Sequence, residues 1–281
     1  MLKTVLQKIM WTGVFAAATS SLYAVDGVVL IDQSHALAGG ITTGDTPGFP
    51  VTISQPGSYK LSSNLTVPDA NTTAIQIKAN NVTLDLNGFS ILGPVVCTSS
   101  PAVCPAAGQG IGIEADAPPG QPGPRGAKVF NGTVRGMGST GILMIGVGSS
   151  VERMVVDSNA GSGIVVAGSV SDSAITLNGG FGVLAVIVRG CDVTDNHSDG
   201  IVVDGSGGVA EGNIASFNGR HGILAPNATV IANTMVRNTN FGVSTTCPSV
   251  IANNTIVSNT QGSINQTNLE ACAIANNATR P

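Results

Sequence analysis

Arg189, Asp192, Asp195, His197, Asp199 and Asp204 crowd one short stretch of the chain, and Arg220 and His221 follow a little further on. Carboxylate, imidazole and guanidinium groups at one place can do acid–base work. Asp199, His221 and Arg220 are the catalytic candidates, with Arg189, Asp195 and His197 as substrate-binding candidates. Paired carboxylates in the same stretch could also hold Ca²⁺, which takes several oxygen ligands; no other cofactor is called for. The same residues equally describe a turn facing water, with Asp199 ion-paired to Arg220 or His221 at little energetic consequence.

Whether these groups meet depends on the elements that carry them, and those elements repeat. Gly-Ile or Gly-Val dipeptides recur at Gly141-Ile142, Gly163-Ile164, Gly182-Val183, Gly200-Ile201, Gly222-Ile223 and Gly242-Val243, with Ser263-Ile264 as a seventh start. The steps are 22, 19, 18, 22, 20 and 21 residues. Every start after the first follows an asparagine four residues earlier: Asn159, Asn178, Asn196, Asn218, Asn238 and Asn259. The motif is N-x-x-x-[GS]-[IV], so one turn has fixed length and insertions fall elsewhere. Repetition at this period marks a solenoid. Asparagine tolerates left-handed backbone and bonds across tight turns, and amides repeated at one position can pair up and down a stack. Glycine supplies either positive φ or close backbone approach. The Ile or Val that follows is stiff, favours strands and is expected to face the core.

These observations predict an all-β chain, a right-handed parallel β-helix of about ten coils, on the order of 50 Å long at ~4.8 Å per coil. Asp199 and His221 each directly precede a start glycine, so they should be neighbours on adjacent coils. The same slot holds Ser162, Phe181, Phe241 and Gly262 elsewhere. Leucine-rich repeats lack the right periodic residue here, and the calcium-binding G-G-x-G-x-D pattern is absent.

Lys3 and Lys8, the apolar run Ile9 to Ala18 and the small residue Ala24 read as a secretory signal peptide over residues 1–24. Residues 25–70 are expected to enter and cap the solenoid, residues 71–262 to form it, and 263–281 to be a last degenerate coil and tail. Two inserts, 94–108 and the proline-glycine-rich 116–126, are expected as surface loops, one of which could overhang a groove. Cys97 and Cys104 bracket a short segment suited to a disulfide in an oxidising compartment. Cys247 and Cys272 can also pair, which leaves Cys191 as a small buried residue.

The whole chain carries 12 Lys and Arg against 16 Asp and Glu. Losing Lys3 and Lys8 leaves ten against sixteen, a balance near −6. That is the wrong footprint for nucleic acid, and no later run is long and apolar enough to span a membrane. Removal of the leader also takes Trp11 and Tyr23, so Tyr59 is the one remaining tyrosine. Location outside the cytoplasm follows: secreted, periplasmic or at the cell surface. Oligomeric state is not legible.

The stretches GSYKLSSNLTV and NNVTLDLNGFSILG, followed by the asparagine-glycine coils, resemble bacterial right-handed β-helix repeat proteins of the pectate-lyase-like superfamily. The resemblance covers roughly residues 48 to 278. It implies a polysaccharide as partner, and it implies lyase, hydrolase or epimerase chemistry as one possible activity. His197-Ser198-Asp199-Gly200-Ile201 is similar to the N-T-D-G-I segment of polygalacturonases, but their D-D, G-H-G and R-I-K segments are absent. Two functions therefore stand side by side: a non-catalytic surface, adhesive or scaffold solenoid, and a carbohydrate-active enzyme or binder. Fold alone does not choose between them. Asp85, in the Val-Thr-Leu-Asp-Leu strand, is a further candidate whose simpler role is to cap a turn.

Overall fold

The structure, a computed structural model, describes residues 27–105, 108–116, 121–268 and 270–280. The expected signal segment lies outside the described residues, and so do parts of both inserts. The chain winds as a parallel β-helix of about ten coils, each crossing three short strands. One complete coil runs through Ile164–Ser171, which serves two sheets, and Ala174–Thr176, which serves the third.

Pairing is parallel and nearly invariant in register. On the first sheet Ile113, Ile142, Ile164, Val183, Ile201, Ile223, Val243 and Ile264 succeed one another directly. All but the last are fully buried. The second sheet stacks Val129, Val151, Val170, Val188, Ala210, Val230 and Ile251, and the third Val134, Val156, Ile175, Val193, Ala215, Met235 and Ile256. Strands of three residues with a buried–half-buried–buried pattern follow from the pleat, which alternates side chains between core and solvent. β-Branched side chains fill the interior because like residues stack on like at every rung.

The asparagines form the expected ladder. Nδ2 donates to the next Oδ1 from Asn159 to Asn178 (2.9 Å), Asn178 to Asn196 (3.0 Å), Asn196 to Asn218 (3.1 Å), Asn218 to Asn238 (3.0 Å) and Asn238 to Asn259 (2.9 Å). Each Oδ1 also accepts the backbone N–H of the preceding ladder asparagine. The left-handed backbone, however, is not on the asparagine. It falls one residue earlier, at Ser158, Leu177, Asp195, Phe217, Arg237 and Ser258, with φ between 55° and 59°. That kink aims the following amide into the stack, so the asparagine is chosen for its hydrogen bonds and not for its φ.

A second asparagine ladder was not anticipated. Asn213, Asn233, Asn254 and Asn277 link in the same way at 2.9, 3.1 and 2.9 Å, at the corner between the second and third sheets. Its signal is present in the sequence: an asparagine five residues before Asn218, Asn238 and Asn259. Cys191 occupies the same slot one coil earlier, where its N–H donates to Asn213 Oδ1 at 2.9 Å. Cys191 is a free buried thiol, and burial pushes its pKa up to about 11.

The open choice for the start glycines resolves to close approach. Gly163, Gly182, Gly200, Gly222 and Gly242 are absent from the positive-φ residues. A Cβ on Gly182 would lie 2.6 Å from the Gly200 carbonyl and 2.7 Å from Asn196 Nδ2.

Parallel strand pairing already runs through residues 25–70. Val51–Ile53 already pairs with Ile75–Ile77, and Val29–Ile31 with Tyr59 to Leu61. Val51 and Ile53 point inward and read as a rung. Within the same segment a short helix, Gln33–Ala38, covers the end of the stack, with Ala36 buried against the core. Asp32 caps that helix, and hydrogen bonds from the Ser34 hydroxyl and the His35 N–H hold its carboxyl down at about 2.

Candidate functional site

The corner between the third and first sheets carries the residues singled out by sequence. Asp199, Arg220 and His221 do come together there. Asp199 is fully buried. Its Oδ2 accepts from Arg220 Nη1 at 3.1 Å, and its Oδ1 accepts the His221 N–H at 3.0 Å. His221 repeats the arrangement: its Nδ1 accepts the Phe241 N–H at 3.3 Å, and its ring stacks on Phe241 with centroids 5.9 Å apart. In each case the side chain in the slot before the start glycine caps the N–H of the same slot one coil on. A buried carboxylate survives because its charge is paired and hydrogen-bonded.

Burial lowers the pKa of His221, with the Arg220 charge adding to it and Asp199 opposing. Accepting the Phe241 N–H also requires Nδ1 to be unprotonated. The folded state therefore binds this proton less readily than the unfolded chain. Its stabilising contribution is full above the ordinary histidine pKa near 6.5 and is lost as pH falls through the depressed folded value. Denaturant titrations at pH 7.5 and pH 5 should show lower stability at pH 5. In His221→Gln the slope against pH should shrink by about one proton's contribution; an unchanged slope would refute the assignment.

Asp195 and His197 serve a different contact. The first insert forms a strap closed by a Cys97–Cys104 disulfide and by paired bonds between Thr98 and Val103. The strap starts beside Gly136, passes Asn159 and Gly179, and ends on the coil of Asp195. There the Ala102 N–H donates to the Asp195 carbonyl at 2.8 Å, and the Ser100 hydroxyl donates to Asp195 Oδ1. His197 Nδ1 lies 2.9 Å from the Ala102 carbonyl. Asp192 sits alongside, its pKa raised by partial burial and by the Asp195 charge.

Arg189 does not join this group. It lies on the second sheet, paired with Glu211 at 2.9 Å and exposed to solvent. The reason is positional: Gly190 and Cys191 turn the chain between sheets after Arg189, so sequence proximity to Asp195 is not spatial proximity. Asp85 takes its simpler role, accepting the Asn87 N–H at 2.7 Å and Asn131 Nδ2 at 3.0 Å, with Lys60 at 3.4 Å. Cys247 and Cys272 are bonded. Among the described residues no three His, Cys, Asp or Glu side chains converge as a metal cluster.

The second insert walls a groove elsewhere. A cavity of about 620 Å³ opens on the outer face of the first sheet, lined by Gln76, Lys78, Asn80, Glu114 and Asp116 and by the insert residues Gln121 to Pro124. Gln76 and Glu114 are register partners on adjacent coils, and Gln76 Nε2 donates to Glu114 Oε2 at 3.1 Å. The wall is fixed at its base. Arg125 N–H donates to Asn80 Oδ1 at 2.8 Å, and Gly126 N–H to the Val147 carbonyl at 3.1 Å. Gly146 allows the Pro124 carbonyl to lie directly on the sheet, since any Cβ there would collide with it.

The charged cluster of residues 189–221 does not point to this groove. Its signal is the pair Ile75-Gln76-Ile77-Lys78 and Ile113-Glu114-Ala115-Asp116, which places polar groups outward at matching positions. The next five coils put Leu143, Val165, Leu184, Val202 and Leu224 in that outward row, all half-buried. The polar groove thus opens onto an aliphatic stripe.

Three parallel strands per coil, with in-register apolar stacks and buried asparagine ladders, define a right-handed parallel β-helix protein. The chain belongs to the right handed beta helix region family, whose model matches residues 123–279. No curated protein matches it. Among solved structures it is similar to the A-module of the Azotobacter vinelandii mannuronan C-5 epimerase AlgE4, at 14% identity and TM-score 0.55, covering 90% of this chain and 84% of that one. The A-module of AlgE6 from the same organism gives 19% identity and TM-score 0.45, covering 72% of this chain, which spans 58% of the module's length. Tailspike protein 2 of Escherichia coli bacteriophage CAB120 gives 13% identity and TM-score 0.48, covering 79% of this chain and 38% of that one. At these identities the likeness is one of fold.

Proposed function

We propose that the protein is an exported, non-catalytic β-helix that holds polysaccharide in the groove of Gln76, Lys78, Asn80, Glu114 and Asp116. The walled polar cavity on the outer face of the first sheet is the observation that carries this reading. Concave sites with a few convergent polar groups are where ligands bind. Export is supported by the leader-like pattern of residues 1–24 and by two disulfides. The non-catalytic reading is supported by the corner cluster, where Asp199 and His221 are buried and Asp199 Oδ1 and His221 Nδ1 each cap a backbone N–H.

The second reading, an enzyme acting on polysaccharide through Asp199, His221 and Arg220, rests on the proximity of those three groups. One experiment separates the two. The mature protein is incubated with a polysaccharide panel while retention on immobilised glycan, new reducing ends and unsaturated-sugar absorbance are followed. Retention without turnover is expected, with retention lost by at least tenfold in a Lys78→Ala, Glu114→Ala double variant. Turnover that disappears in Asp199→Ala, His221→Ala would replace the proposal with the enzyme reading. Absence of both retention and turnover would refute the two together.

A further inference from the structure

We infer that the groove selects an uncharged, hydroxyl-rich glycan and disfavours acidic polysaccharides; this rests on the reading of that groove as a glycan site. The charged groups lining it are one ammonium, Lys78, and two carboxylates, Glu114 and Asp116. The formal charge of the lining is therefore negative. Register places Gln76 one coil before Glu114, and Lys78 and Asp116 each follow two residues later along their own coils. Adjacent coils lie ~4.8 Å apart. Among the described lining residues carboxylates thus outnumber cations two to one, and an acidic sugar entering the groove would add negative charge to that excess.

Among the described residues no second cation lines the cavity. Arg125 follows Pro124 in the insert but does not line the cavity. The aliphatic stripe beyond the groove carries no cation. The chain as a whole has a formal charge of −4, which adds long-range repulsion toward polyanions at low salt.

The polar groups of the lining suit hydroxyls. Gln76 Oε1 and Glu114 Oε1 are acceptors, and Lys78 Nζ is a donor. Asn80 Oδ1 takes the Arg125 N–H, which leaves its Nδ2 as a donor. Sugar hydroxyls both donate and accept, so such a mixed set satisfies them without any net charge on the chain. Tyr59, the one tyrosine beyond the leader, is buried in the core. Selection here therefore runs through polar pairing and charge, with no tryptophan or tyrosine face for a sugar ring.

The test uses the mature protein with neutral probes (laminarin, xyloglucan and soluble starch) and acidic ones (polygalacturonate and alginate), by affinity electrophoresis at 20 and 200 mM NaCl. At least one neutral glycan should bind at least tenfold more tightly than either acidic one at 20 mM, with its affinity changing less than twofold at 200 mM. In Glu114→Gln, Asp116→Asn, which removes both carboxylates, the neutral-to-acidic preference should narrow to within threefold. Circular dichroism melting confirms that the variant is folded. An acidic glycan that binds as tightly as any neutral one at 20 mM, or a preference unmoved in the variant, would overturn the inference and leave the glycan site standing. Failure of every probe to bind would instead remove the site itself.

Discussion

Asn196→Ala is expected to lower the stability of the folded chain by about 3 kcal/mol. Asn196 is fully buried in the middle of the ladder. Its Oδ1 accepts both the N–H and the Nδ2 of Asn178, at 3.1 and 3.0 Å. Its own Nδ2 donates to Asn218 Oδ1, to the Ile175 carbonyl and to the Thr194 carbonyl. Truncation strands the Asn178 N–H in a corner closed to water and takes one acceptor from Asn178 Nδ2, which keeps the Val156 and Thr176 carbonyls. Each stranded buried group costs about 1–3 kcal/mol. Asn159→Ala provides the internal comparison. Asn159 heads the ladder and its Oδ1 accepts the Met137 N–H, so removal strands one donor, takes no acceptor from a neighbouring side-chain amide, and should cost less. Urea unfolding of the two variants measures both. Equal losses, or a loss below about 1 kcal/mol for Asn196→Ala, would show that the ladder is not the energetic seam it is taken to be.

Gly182→Ala should be comparably damaging, by about 3 kcal/mol or more, although it adds a single methyl group. That methyl would overlap Val193 Cγ1 and lie 2.6 Å from the Gly200 carbonyl and 2.7 Å from Asn196 Nδ2. Two of these neighbours are a backbone carbonyl in the next coil and an amide fixed in the ladder, so neither can yield without shifting a rung. The seventh start shows the complementary case. Ser263 holds the glycine position on the last rung of the first sheet, where no later coil follows among the described residues. Ser263→Ala should therefore stay within about 0.5 kcal/mol of the parent. Thermal melts of the two alanine variants make the contrast. A mild Gly182→Ala would mean that the coils can separate locally to admit a Cβ.

The sequence carried the period, the inward residues and the first ladder. Stacked coils make chemically equivalent positions recur, and a solenoid contacts only its neighbours, so one coil's spacing predicts the next. Asn178, Asn196 and Asn218 are legible for that reason, and so is the adjacency of Asp199 and His221. The left-handed kinks at Leu177 and Phe217 were not legible, because neither residue type favours that backbone; the ladder holds them there at a cost of about 1–2 kcal/mol each.

What the adjacency is used for was decided by the tertiary structure. Asp199 next to His221 reads as acid–base chemistry until its oxygens are seen on Arg220 and on a backbone N–H. Asp195 and His197 read as ligand groups until the strap arrives from about a hundred residues earlier to use them. The two inserts break the repeat, so the repeat cannot say where they land. The first lies along the corner of the expected cluster, and the second walls Gln76, Lys78 and Glu114 on the first sheet. The sequence by itself determined a right-handed parallel β-helix and the residues that build it, because periodic stacking writes each coil's contacts into the spacing. Only the tertiary structure decided where a groove exists, because that depends on two aperiodic segments and on the face each one covers.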